Sequence, residues 1–197
     1  MTAIGPWVRR SRRVAYQNPW ITVWHDDVTQ PDGQPGLYGV VHFEGRSVGV
    51  VAIDDQDRVA MVRQHRYTLD LPSWEIPEGS ATAGESLLVG AQRELVEETG
   101  LSAGSWRELA RIHTSNSVTD ELAVLFVATD LAQGEARLDG TETDMLLAWF
   151  PFEEAIDMIE DGRITDAMSV VALQRLALER RSRVERPGEN ATVRNRP

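Results

Sequence analysis

From Gly79 to Leu101 the chain reads Gly-x5-Glu-x7-Arg-Glu-Leu-x-Glu-Glu-x-Gly-Leu, and no other stretch restricts its folding as much. Thr82 suits an N-cap, Glu85 three residues later completes a capping box, and Gly100 stands where a helix ends on a left-handed residue. The spacing therefore predicts a helix over 85–99. On that helix Leu88, Ala91, Leu95 and Thr99 share one face, which should be buried. Glu94 lies three and four residues from Glu97 and Glu98, so three carboxylates converge on one patch. Each like-charge pair costs roughly a few tenths of a kcal/mol in an isolated helix, part of which Arg93 offsets through Glu97 at i+4. A hard divalent cation needs such clustered oxygens. Spacing alone equally suits a solvated acidic face.

The flanks read as an α/β chain. Strands are expected over 8–16, 20–26 and 36–43, with Gln30-Pro31-Asp32-Gly33 as the turn between the last two. Residues 1–45 thus form a small N-terminal antiparallel β appendage. The stretches 47–53 and 58–63 read as a hairpin about Asp54-Asp55-Gln56-Asp57, and a short strand over 74–76 enters the glycine loop. Strands resume near 106–113, 121–128 and 145–150, and helices over 152–160 and 165–181 close a main domain spanning 46–181. The tail over 182–197, rich in charge, Pro, Gly and Asn, is expected to be disordered.

Charge and composition remove several function classes. Twenty basic against 31 acidic residues leave a formal net charge of −11, a repulsive average field for nucleic acid. A phosphorylated ligand would need divalent metal and locally placed arginines. With no cysteine there is no disulfide, zinc–thiolate site or thiol nucleophile. Met1 to Arg13 holds no apolar run of signal-peptide length and no stretch approaches the length of a membrane span, so the chain reads as cytoplasmic with no membrane partner. His25, His42, His65 and His113 lack metal-ligand spacing and read as structural.

Gly79, Glu85, Arg93, Glu94, Leu95, Glu97, Glu98, Gly100 and Leu101 together match the box of the Nudix hydrolases, and the chain resembles that family from about Ser47 to Arg181. The resemblance implies an α/β/α sandwich around a mixed sheet and hydrolysis of a nucleoside diphosphate linked to another moiety. It implies Mg²⁺, with Mn²⁺ as the alternative, held by Glu94, Glu97, Glu98 and the backbone carbonyl of Glu78. Arg93 and Glu85 would keep loop and helix in register. Among the catalytic residues it suggests, Glu94, Glu98 and Arg93 lie in the box, and Glu142, in the Asp139–Asp144 stretch, is the candidate general base.

Val62-Arg63-Gln64-His65-Arg66-Tyr67 and Trp74-Glu75-Ile76-Pro77-Glu78-Gly79 resemble the ADP-ribose and nucleoside diphosphate sugar branch, as do Leu131 and Gly162-Arg163-Ile164-Thr165-Asp166-Ala167. Arg63 or Arg66 would then meet the substrate's phosphates, or either could be a surface strand arginine. Asn116 stands where that branch commonly carries proline, which widens the substrate range to other nucleotide sugars. Glu121 is a further acid that could approach the metals, or simply edge a strand. The appendage suits a homodimer contact, with Trp20 or Trp24 able to stack on a base. The rival reading is a non-catalytic nucleotide-binding regulatory module, which usually carries substituted box acids; none is substituted here.

Overall fold

In a computed structural model of the chain, residues 1–137 and 144–185 are described, so Glu142 lies outside the described residues. Strands β1 (Thr2–Ile4), β2 (Trp7–Gln17), β3 (Ile21–Thr29) and β4 (Pro35–Phe43) pair in chain order as an antiparallel meander, β1 being an addition to the three expected strands. Short polar turns set the register. Asn18 Oδ1 accepts the backbone N–H groups of Trp20 and Ile21 at 2.9 and 2.8 Å, closing the β2–β3 corner.

The next two strands depart from expectation. β5 (Arg46–Ala52) and β6 (Arg58–Arg66) meet at an Ile53–Val59 bridge and an Asp54 N–H to Arg58 carbonyl bond of 3.0 Å. Beyond that turn they separate into different sheets, so the predicted hairpin is only a corner. The reason is burial on both faces. Val48 to Ala52 and Val59 to Val62 are nearly continuous apolar runs, all buried, and a simple two-stranded hairpin could cover only one face of each.

β7 (Leu71–Glu75) and β11 (Leu146–Pro151) flank β6, giving the order β11-β6-β7. β8 (Glu78–Ala81), β9 (Leu101–His113) and β10 (Leu122–Gln133) complete the other sheet, β8-β5-β10-β9. There β5 runs parallel to β10 and the remaining pairs are antiparallel, a mixed sheet. Three helices follow from the spacing already read: α1 (Leu87–Thr99), α2 (Phe152–Glu160) and α3 (Ala167–Glu185).

Alternation along the central strands sorts the core into two layers. Val48, Val50, Ala52, Val124, Phe126 and Ala128 pack with Ala91 and Leu95 of α1. Val51, Ile53, Leu125 and Val127 pack instead with Phe152 and Met158 of α2 and Met168 and Leu173 of α3. Helices thus cover both faces, the expected α/β/α arrangement. Each fully buried side chain such as Leu95 or Leu125 contributes about 1.5–3 kcal/mol by leaving water.

α3 runs four residues further than expected, to Glu185, into the start of the stretch predicted to be disordered, the rest of which lies outside the described residues. Charge does not stop a helix, and the chain has no Gly or Pro between Gly162 and Pro187. Arg180 fastens this helix to the β5–β6 corner, reaching Asp57 at 2.7 and 3.0 Å while its guanidinium lies 3.9 Å from the centre of the Phe152 ring. The appendage joins the body through Val41 N–H to Val118 carbonyl at 2.8 Å and His42 Nδ1 to Asp120 at 2.7 Å. No helix among the described residues is long and apolar enough to cross a membrane.

Candidate active site

The helix that carries the acids starts later than its spacing suggests. Ser86, not Thr82, is the N-cap, its Oγ accepting Val89 N–H at 3.2 Å. Glu85 still reaches back, accepting Thr82 N–H at 3.0 Å, so half of the expected capping box survives as a brace on the preceding turn. At the other end Gly100 holds φ 72°, where a side chain would be strained, and donates to the Val96 carbonyl.

The buried face is also rotated. Leu88 is 38% exposed, whereas Gly90, Ala91, Leu95, Glu98 and Thr99 are buried. A Cβ on Gly90 would fall 2.7 Å from the Ala81 Cβ, so α1 packs tightly on β8 at residue 90 while Leu88 faces outward. That rotation brings Glu94 and Glu98 onto the loop.

Two of the acids hold the loop directly. Glu98 Oε2 accepts the backbone N–H of Glu78, and Glu94 Oε1 accepts that of Ser80, each at 3.0 Å. Between these residues Gly79 leaves room for Glu94: a Cβ there would lie 2.2 to 2.5 Å from its carboxyl group. Arg93 is the hub. Its guanidinium donates to Glu85 at 3.2 and 3.3 Å, to Glu94 at 2.9 Å, to Glu97 at 2.7 Å and to the Ser80 carbonyl at 2.7 Å. This pairing pulls the Glu85 carboxyl below its ordinary range, while burial pushes that of Glu94 up.

Among the described residues no three Asp, Glu, His or Cys side chains converge into a metal cluster. The donors nevertheless suit a hard cation. Arg93 and Ser80 engage only one oxygen each of Glu94 and Glu97, leaving Glu94 Oε2 and Glu97 Oε1 without a hydrogen bond among the described residues. Glu78 Oε2 is buried with no hydrogen-bond partner among the described residues, and burial, then repulsion from Asp166 and Glu75, raises its carboxyl well above the ordinary range. An all-oxygen set of this kind matches the preference of Mg²⁺ and Mn²⁺.

The remaining predicted residues fall in three places. Arg66 is tied to Glu75 by two hydrogen bonds and to Glu78 at 3.1 Å, in the wall of a cavity of about 350 Å³ shared with Thr165 and Asp166. Its Nη1 makes no hydrogen bond among the described residues. Arg63 sits on β6 between Trp74 and Leu146 of the neighbouring strands, half-buried. Trp20 lies on the appendage, 73% exposed, whereas Trp24 is already stacked, between His42 at 4.6 Å and the Arg12 guanidinium at 3.8 Å. Glu121 is held by Ser47 Oγ at 2.5 Å and by Thr114 Oγ1. Sequence reading assigns no role to Ser80, whose backbone groups meet Glu94 and Arg93, to Glu75, whose carboxylate pairs with Arg66, or to Ser169, which accepts Ile76 N–H, because none of these contacts leaves a local spacing to detect.

A family model described as the NUDIX domain matches residues 44–170, and one for the nucleoside diphosphate sugar hydrolase N-terminal domain matches residues 7–41. An ADP-ribose pyrophosphatase of Mycobacterium tuberculosis is 34% identical over 75% of this chain and 72% of its own length. A methanol dehydrogenase activator of Bacillus methanolicus is 37% identical over 78% of this chain and 83% of its own length. The solved structure of an ADP compounds hydrolase superposes with a TM-score of 0.81 at 21% identity, covering 93% of this chain and 98% of that one, and so shares its fold. With the box acids, the loop they hold and the sandwich around them in agreement, the chain belongs to the Nudix hydrolase family, enzymes that act on phosphorus-containing anhydrides.

Proposed function

We propose that the protein hydrolyses the pyrophosphate bond of ADP-ribose or a related nucleoside diphosphate sugar, releasing a nucleoside monophosphate and a sugar phosphate. The observation that carries this reading is the lock of Glu98 on Glu78 N–H and Glu94 on Ser80 N–H, which holds the loop carbonyls and the helix acids as one oxygen-lined unit. Similarity to the ADP-ribose pyrophosphatase and to the N-terminal sugar-hydrolase model supports the substrate class.

In this reading Glu94, Glu97, Glu98 and the Glu78 carbonyl hold Mg²⁺, or Mn²⁺. Held by those residues, the metal would supply charge neutralisation at the diphosphate oxygens and make water a better nucleophile near neutral pH. Arg93 keeps Glu94 and Glu97 oriented through the bonds described above. Arg63, or Arg66 through the Nη1 that makes no hydrogen bond among the described residues, offers a guanidinium group to the phosphates, offsetting the repulsion of the acidic chain. Exposed Trp20 stacks on the base, Glu142 accepts the proton of the attacking water, and the appendages of two copies pair in a cytoplasmic homodimer.

Incubation with ADP-ribose, GDP-mannose and other nucleotide sugars plus Mg²⁺, followed by ³¹P NMR, tests the proposal. Phosphomonoester products are expected. Binding of these compounds without turnover of any of them would overturn it in favour of the non-catalytic module.

A further inference from the structure

We propose that Ser169, on the opposite side of the main sheet from α1, is a positioning residue for the cation-binding loop. The inference rests on the reading of the Glu78 carbonyl as a metal ligand. The chain crosses between the two sheets of the main body at Ile76 and Pro77: β7 ends at Glu75 in one sheet and β8 begins at Glu78 in the other. Neither ladder reaches Ile76, whose side chain is fully buried, so its N–H needs a partner from elsewhere.

Ser169 supplies that partner. It is 0% exposed, lies in the first turn of α3, and its Oγ accepts Ile76 N–H at 2.9 Å across 93 residues of sequence. Its own N–H donates to Asp166 Oδ2 at 2.7 Å, which fixes the turn that presents the hydroxyl. Three elements then hold three consecutive residues. Ser169 of α3 takes Ile76, Val50 of β5 donates to the Pro77 carbonyl at 2.9 Å, and Glu98 of α1 accepts from Glu78 N–H. Removal of the first tether frees the crossover two residues before the Glu78 carbonyl. The helix acids remain in place, so the loss falls on the aim of the carbonyl.

The test measures Mn²⁺ binding by calorimetry on the full-length wild-type protein and on Ser169→Ala, Ser169→Cys and Arg180→Ala. Ser169→Ala is expected to weaken Mn²⁺ binding about tenfold, the lower end of what loss of an outer-shell partner costs. Ser169→Cys keeps a side-chain acceptor at the same position, slightly larger and weaker, and falls between; it also carries the test if the alanine variant does not fold. Arg180→Ala loosens α3 at its far end and should bind Mn²⁺ as the wild type does. At saturating Mn²⁺ the KM for ADP-ribose stays unchanged in Ser169→Ala. Wild-type affinity in both Ser169 variants, or an equal loss in Arg180→Ala, would overturn the positioning role. Failure of the wild-type protein to bind Mn²⁺ would instead remove the metal reading on which it rests.

Discussion

Glu98 Oε2 accepts the backbone N–H of Glu78 at 3.0 Å, so the last acid of α1 and the first residue of β8 form one unit although 20 residues separate them. Glu98 is buried, and a glutamine in its place keeps the acceptor but loses the charge. Glu98→Gln should retain the fold, with a melting temperature within about 4 °C of wild type, while turnover falls on the order of 10²-fold or more. Calorimetric melting beside a phosphate-release assay checks both, and unreduced turnover would exclude Glu98 from the metal set.

Arg93 serves five acceptor oxygens in a planar fork that lysine cannot reproduce. A third of its side chain is exposed, so screening moderates the energetic effect. Arg93→Lys is expected to cost about 1 kcal/mol in urea unfolding. Turnover should drop further than KM changes, since Glu94 and Glu97 lose the bonds that orient them. A KM rise with unchanged kcat would place Arg93 in substrate binding instead.

At Gly79 the constraint is space. Gly79→Ala puts a methyl within 2.2 to 2.5 Å of the Glu94 carboxyl group, so Glu94 must move or the loop must open. Activity should fall by about 10²-fold or more as a result. Far-ultraviolet circular dichroism should stay close to wild type, because the clash is confined to one loop. An active Gly79→Ala enzyme would show that Glu94 can leave this position without loss.

The appendage supplies a pH-dependent contribution. Arg12 donates to Asp26 through two bonds of 2.7 Å, and this pairing holds the Asp26 carboxyl below its ordinary range. A folded-state pKa below the unfolded one means stability that is fully present above about pH 4 and lost as pH falls through the folded value. Wild type should therefore exceed Asp26→Asn in stability at pH 7, with the difference shrinking under acid. Urea titrations at pH 7 and pH 3 measure it; a constant difference would assign the effect to packing.

Exposed Trp20 is the proposed base platform. Loss of one base–aromatic stack is worth about 1–3 kcal/mol, so Trp20→Ala should raise KM for ADP-ribose about 5- to 150-fold with kcat nearly constant. An unaltered KM would remove Trp20 from the substrate site.

The acids of α1 were readable because helix geometry turns spacing into proximity: Glu94 had to neighbour Glu97 and Glu98 once the helix formed. Leu88 was misread for the opposite reason. Which side of a helix is buried depends on how closely its neighbour approaches, and here α1 packs tightly on β8 at Gly90 against Ala81. The β5–β6 hairpin failed likewise, since turn residues predict a corner but do not say whether two apolar strands stay paired beyond it.

Sequence alone determined the acidic helix of this protein: the box from Gly79 to Leu101, the nearness of Glu94 to Glu97 and Glu98 and the pairing of Arg93 with Glu97 follow from local spacing, while the resemblance that the box carries implied the layered α/β fold. Tertiary structure decided what those groups are braced against. It set Glu98 on Glu78, committed Arg66 to Glu75, stacked Trp24 while leaving Trp20 open, and brought Ser169 to Ile76. Such contacts join backbone groups and side chains far apart in the chain. A hydrogen bond across 93 residues leaves no period in either segment, and it exists only because both sheets and α3 pack around the crossover at Ile76.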